Sequence, residues 1–170
     1  MDEQQRDTFR LYVRNTIFGI EDSLVSTVGL LSGVAVAGLS RGEIVTAGII
    51  LIFVEAISMA AGSFLSEQSS REYDAHGEMP ASHAVVGGVI MFFSYFLSGF
   101  VPLTPYFFLD VAHALPYSIV ASGTTLFLLG FIGAYRFGIN AWRGGIRMLV
   151  IGGAAIAVGI VVGHFVPSNF

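Results

Sequence analysis

"FGIEDSLVSTVGLLSG" (residues 18–33) has the apolar density of a membrane span, yet it sets two carboxylates, Glu21 and Asp22, side by side within it. The next apolar run repeats the anomaly, since "LIFVEAISMAAG" (51–62) carries Glu55 near its middle. An acid at the centre of a span costs about 2.5–3.5 kcal/mol on insertion scales. Such groups face a bundle interior or a watery cavity, and they are functional candidates by default.

The rest of the chain makes these acids conspicuous. Of 170 residues, 54% are hydrophobic and 12% charged, with a mean hydropathy of +0.76. That balance excludes an ordinary soluble domain and points to a polytopic, all-α membrane protein. There is no cysteine, which excludes a disulfide framework and a thiolate metal site. The polar start "MDEQQRDTFR" lacks the pattern of a cleaved signal peptide. No bound cofactor and no nucleic-acid partner are expected.

A span needs about 20 apolar residues to cross a hydrocarbon core of ~30 Å. Five stretches meet this, at about 16–38, 43–66, 84–106, 115–138 and 146–166, and residues 1–170 read as one five-span domain. A tight turn at "SRGE" (40–43) makes the first two spans a hairpin. Residues 67–83 form a short polar connection, and Pro102 with Pro105 is expected to break the end of the third span. All eight basic residues are arginines. With the N-terminus in the cytosol, seven lie inside and only Arg41 outside, a strong positive-inside bias that puts the C-terminus outside. Gly29 with Gly33 and Gly159 with Gly163 have the small-xxx-small spacing that lets helices approach closely, here read as general packing.

At ~100° per residue, Asp22, Ser26, Gly29 and Gly33 share one narrow stripe, and so do Glu55, Ser58, Met59, Gly62 and Ser66. Counting from a turn centred between Ser40 and Arg41, Asp22 is level with Met59, and Ser26 with Glu55 one turn deeper. Carboxylate oxygens attract divalent cations, and a thioether adds affinity for a transition metal such as Fe²⁺ but nothing for Mg²⁺ or Ca²⁺. Because desolvation disfavours a charged carboxylate, protons can replace the metal when it leaves. No arginine is expected at the depth of the acids.

"IEDSLVSTVGLLSGVAVAG" (20–38) followed by "EAISMAAGSFLSEQSS" (55–70) resembles the vacuolar iron transporter family with its nodulin-like relatives. The resemblance implies a five-helix homodimer that exports cytosolic Fe²⁺ or Mn²⁺ in exchange for protons, through a pore between the first spans of two subunits. It implies Asp22 and Met59 as pore residues. The depth count and the cost of buried charge, not the resemblance, add Glu55 as a further metal ligand, with Glu55 and Glu21 as candidates for proton coupling. Ser23 departs from the glycine usual after the pore aspartate, and Leu51 stands where some relatives carry a glutamate. The connection at 67–83 is too short for the family's long acidic cytoplasmic metal-binding domain. Within it, Glu67 and Glu72 are candidate cation-collecting residues at the entrance, although a solvated loop is the plainer reading. Asp110, His113 and His164 read as interfacial residues at the outer face. The compact chain points to a prokaryotic cell membrane rather than an organelle membrane. Two other classes compete, a non-transporting scaffold or metal buffer and an intramembrane hydrolase. The hydrolase lacks G-x-S-x-G and H-E-x-x-H motifs, and the chain is not expected to be an enzyme.

Overall fold

The computed structural model describes residues 3–165, which form five helices: α1 (Glu3–Val36), α2 (Arg41–Ala75), α3 (Ser82–Phe108), α4 (Val111–Arg136) and α5 (Ala141–Phe165). All five are long and apolar enough to cross a membrane. At ~1.5 Å per residue, α1 and α2 are each about 50 Å long, well beyond a ~30 Å core. Both overhang at the end that carries Arg10, Arg14, Arg71, Arg136 and Arg143, called here the arginine-rich end.

Local chemistry sets the boundaries and corrects several expectations. Ser40 starts α2 with a capping box, since Glu43 Oε2 accepts from the Ser40 N–H at 2.7 Å and Ser40 Oγ accepts from the Glu43 N–H at 3.4 Å. Gly38 ends α1 at φ 88°, a left-handed conformation that a glycine adopts without a Cβ clash. Residues 67–75, expected as loop, continue α2. Pairs spaced i,i+4 hold that polar segment helical: Arg71 Nε donates to Glu67 Oε1 at 2.7 Å, and Gln68 donates to Glu72. The connection between α2 and α3 shrinks to residues 76–81. Asn140 Oδ1 accepts from the Arg143 N–H at 3.1 Å, so α5 begins at Ala141 rather than 146. The expected end of the fifth span at residue 166 lies outside the described residues.

Pro102 and Pro105 do not break α3, which runs through both to Phe108. A proline removes the N–H that would bond the carbonyl four residues back, here those of Ser98 and Val101. The Pro102 carbonyl itself accepts from Ser118 Oγ of α4 at 2.7 Å, which binds α4 to α3 at that turn.

In lipid, close backbone packing and hydrogen bonds replace the hydrophobic effect as the force between helices. α3 packs along both α1 and α2, more extensively than those two pack on each other, and α5 packs along α1 and α4. The two glycine pairs singled out above meet each other. A Cβ on Gly159 would collide with the Gly29 carbonyl oxygen, and one on Gly163 with that of Gly33. α1 and α5 therefore run parallel in backbone contact, a specific seam rather than general packing. Gly130 and Gly144 make a similar contact between α4 and α5. At the end opposite the arginines, Leu31, Ile44, Ile52, Leu103, Tyr106 and Ala114 form a cluster that joins α1 to α4.

Candidate functional site

The site grows from one buried amide. Asn15, 2% exposed, donates through Nδ2 to Ser63 Oγ at 2.7 Å and to the Gly87 carbonyl at 2.9 Å, tying α1, α2 and α3 together near the arginine-rich end. This bond also fixes the register of the hairpin. Helix α1 stops at Val36 and α2 starts at Arg41, so the turn centres between Gly38 and Leu39, not between Ser40 and Arg41. Followed along the two antiparallel helices, the Asn15–Ser63 pairing sets Met59 opposite Gly19 and Asp22 opposite Ala56, the neighbour of Glu55. Asp22 and Met59 are thus not level, and Asp22 stands closer to the level of Glu55.

The surroundings agree with that register. Met59 lines a cavity of about 600 Å³ between α1, α2 and α3, shared with Arg14, Asn15, Phe18, Ser63, Ser66 and Met91. Asp22 and Glu55 are both half-buried, and Glu55 lies within electrostatic reach of Asp22. Two like charges in one low-dielectric neighbourhood repel, which a divalent cation or a proton relieves. Glu21 differs, because Arg147 of α5 is within electrostatic reach of it. Arg147 is thus a basic neighbour of one acid, against the expectation that no arginine stands at their depth. Among the described residues, no group of three or more histidine, aspartate or glutamate side chains is arranged to hold a metal within one chain.

Helix α3 builds the wall behind the acids, a role that its hydropathy does not signal. Tyr95 is fully buried, and its hydroxyl lies 2.7 Å from Ser26 Oγ. Ser23 is also fully buried and donates to the Tyr95 carbonyl at 2.6 Å. Gly99 makes room for it, since a Cβ there would lie 2.9 Å from Ser23 Oγ. A lone tyrosine in the phenylalanine-rich run "MFFSYFLSGF" (91–100) was the available signal for this wall.

The other candidates lie apart. Glu67 is paired with Arg71, while Glu72 accepts from Gln68, which also donates to the Met79 carbonyl at 2.8 Å. At the opposite end, exposed Asp110 accepts from His113 Nδ1 at 2.7 Å, and this bond holds its carboxyl below the usual carboxylate range. His164 is exposed and packs edge-on against Phe165.

The sequence model of the VIT family matches residues 13–79 and 74–164, in two pieces that meet where α2 ends. A rice protein (Oryza sativa subsp. japonica) named vacuolar iron transporter homolog 1 is 30% identical over 166 residues, covering 86% of this chain and 70% of its own length. Vacuolar iron transporter 1 of Tulipa gesneriana is 23% identical over 226 aligned positions, 98% of this chain and 92% of its own. An alignment longer than this chain requires gaps in it, so the tulip protein carries residues that this chain lacks. The vacuolar iron transporter cccA of the fungus Arthroderma benhamiae is 33% identical over 95 residues, 49% of this chain and 33% of its own. The chain thus spans about a third of that fungal relative. These relatives are fungal and plant proteins named as vacuolar, so the expectation of a prokaryotic cell membrane is not borne out.

Proposed function

Because the chain belongs to the VIT family, we propose that it is a secondary transporter, not an enzyme, that moves Fe²⁺ or Mn²⁺ out of the cytosol in exchange for protons. The observation that carries the reading is the pair Asp22 and Glu55, with Glu55 within electrostatic reach of Asp22 inside the membrane-spanning bundle. Metal and protons compete for the same oxygens, so a pH gradient can drive the ion. Met59, lining the cavity nearer the arginine-rich end, offers a soft ligand on the way in. The arginine distribution supports a cytosolic N-terminus and an outside C-terminus.

The unit is a homodimer with its pore between the α1 helices of two copies. One chain holds no ready three-ligand cluster among the described residues, and a two-fold axis doubles every donor it has. Glu55 serves as a ligand or takes up the returning proton, while Glu21, beside Arg147, takes the lesser part in coupling.

Proteoliposomes test this directly. Mn²⁺ and Fe²⁺ uptake should follow an imposed pH gradient and collapse with a protonophore. Flux that ignores both leaves a channel, and no flux at all leaves a scaffold or metal buffer.

A further inference from the structure

Ser26 follows Asp22 by one turn on the same stripe of α1. Its hydroxyl lines a groove of about 550 Å³ along α1 and α5, whose remaining wall towards the opposite end is glycine and aliphatic: Gly29, Gly33, Val34, Val158 and Gly159. Ser26 is therefore the last side-chain oxygen before an apolar stretch. A serine inside a helix commonly turns its hydroxyl back to its own backbone. Here that contact, to the Ser23 carbonyl, is long at 3.5 Å, while Tyr95 Oη stands at 2.7 Å.

We propose that Tyr95 is a positioning residue, which holds Ser26 so that its oxygen is the next ligand a divalent metal ion meets after Asp22. The inference rests on the transport reading above. A hydroxyl has one proton and two lone pairs. When Tyr95 donates to Ser26, one lone pair of Ser26 Oγ remains for the cation, and the bond fixes where that lone pair is aimed. The tyrosine itself cannot stray. It is fully buried, its main chain is bonded by Ser23, and its hydroxyl lies in the field of both Asp22 and Glu55. Partners behind a metal ligand orient it, and their loss commonly costs about tenfold or more in metal affinity.

Four variants test the pairing: Tyr95→Phe, Ser26→Ala, Ser26→Thr and the double variant Tyr95→Phe/Ser26→Ala. Mn²⁺ flux in proteoliposomes gives KM and maximal rate, and Mn²⁺ titration of the detergent-solubilised protein gives Kd. Tyr95→Phe keeps the ring and the main-chain acceptor, so melting should stay at the wild-type temperature. We expect Tyr95→Phe and Ser26→Ala each to raise KM and Kd about tenfold. The double variant should be no worse than the poorer single one, and Ser26→Thr should keep most of the affinity. Wild-type KM and Kd in Tyr95→Phe overturn the inference, as do independent effects that multiply in the double variant. A lowered melting temperature with unchanged Kd reduces Tyr95 to a packing residue and overturns it too. If wild-type protein carries no Mn²⁺ while the Kd shifts appear as expected, the transport reading fails and the Tyr95–Ser26 pairing stands.

Discussion

The two sides of α1 are built on opposite principles. Towards α5, glycine meets glycine and the backbones touch, with no side chain between them. Towards α2 and α3, polar side chains cross the contact, Asn15 to Ser63 and Gly87, Ser23 and Ser26 to Tyr95, and the apolar cluster around Leu31 closes the far end. On the first side the helices close on each other, and the groove beside the contact is walled by glycine and aliphatic residues apart from Ser26. The second spaces the helices and leaves cavities with oxygen and sulfur on their walls. Rigidity on one side is what allows openness on the other, because a helix fixed along one edge keeps its register without being packed all round.

The sharpest way to break this contrast is to put a side chain in the seam. Gly159→Val drives carbon into the Gly29 carbonyl, and backbone cannot yield as a side-chain tip can. We expect a loss of about 3 kcal/mol or more, seen as little monodisperse protein after solubilisation; a normal melting temperature would show that the seam is not tight. On the open side, Asp22→Asn and Met59→Ala should leave folding intact and lower metal flux at least about tenfold, or ~1.4 kcal/mol. Wild-type flux in both would remove them from the ion path. Glu55→Gln keeps size and hydrogen bonding while removing a charge, so the protein should be as stable or more so, with flux reduced or no longer responsive to the pH gradient. Unfolding of that variant would make Glu55 structural.

Smaller effects sharpen the picture further. Asn15→Ala removes two interhelical hydrogen bonds but no close backbone contact. Such bonds in membranes average about 0.6 kcal/mol, so a modest drop in melting temperature of the solubilised protein is expected. The smallest effect belongs to Asp110→Asn. The depressed Asp110 carboxyl contributes stability above its ordinary value of 3.8, which is lost only as the pH falls through its lower folded value. Between pH 6 and 8 this exposed pair with His113 should leave melting unchanged.

Hydropathy and the cost of buried charge made the five spans and the three acids legible, because both follow from composition within a short window. What stayed hidden depends on contacts between distant residues. The level of Met59 turned on where Gly38 closes α1, a matter of one backbone conformation. The extension of α2 to Ala75 was concealed by its polarity, though the spacing of Glu67 with Arg71 and Gln68 with Glu72 was present in the sequence. Pro102 and Pro105 read as breakers because a local window does not show the packing of α4 against that turn, where Ser118 bonds the Pro102 carbonyl. Tyr95 carries no periodic signal, and only the fold shows what its hydroxyl faces.

The parallel contact of α1 with α5 also bears on how the chain is made. Gly33 and Gly163 are partners at the two ends of the polypeptide. At about 5–20 residues per second, the ribosome needs on the order of ten seconds to go from one to the other. For that interval the glycine face of α1 has no α5 to meet, while α2 and α3 can already hold its other side through Asn15, Ser23 and Ser26. The polar contacts that aim Ser26 can thus form before the glycine seam closes behind them.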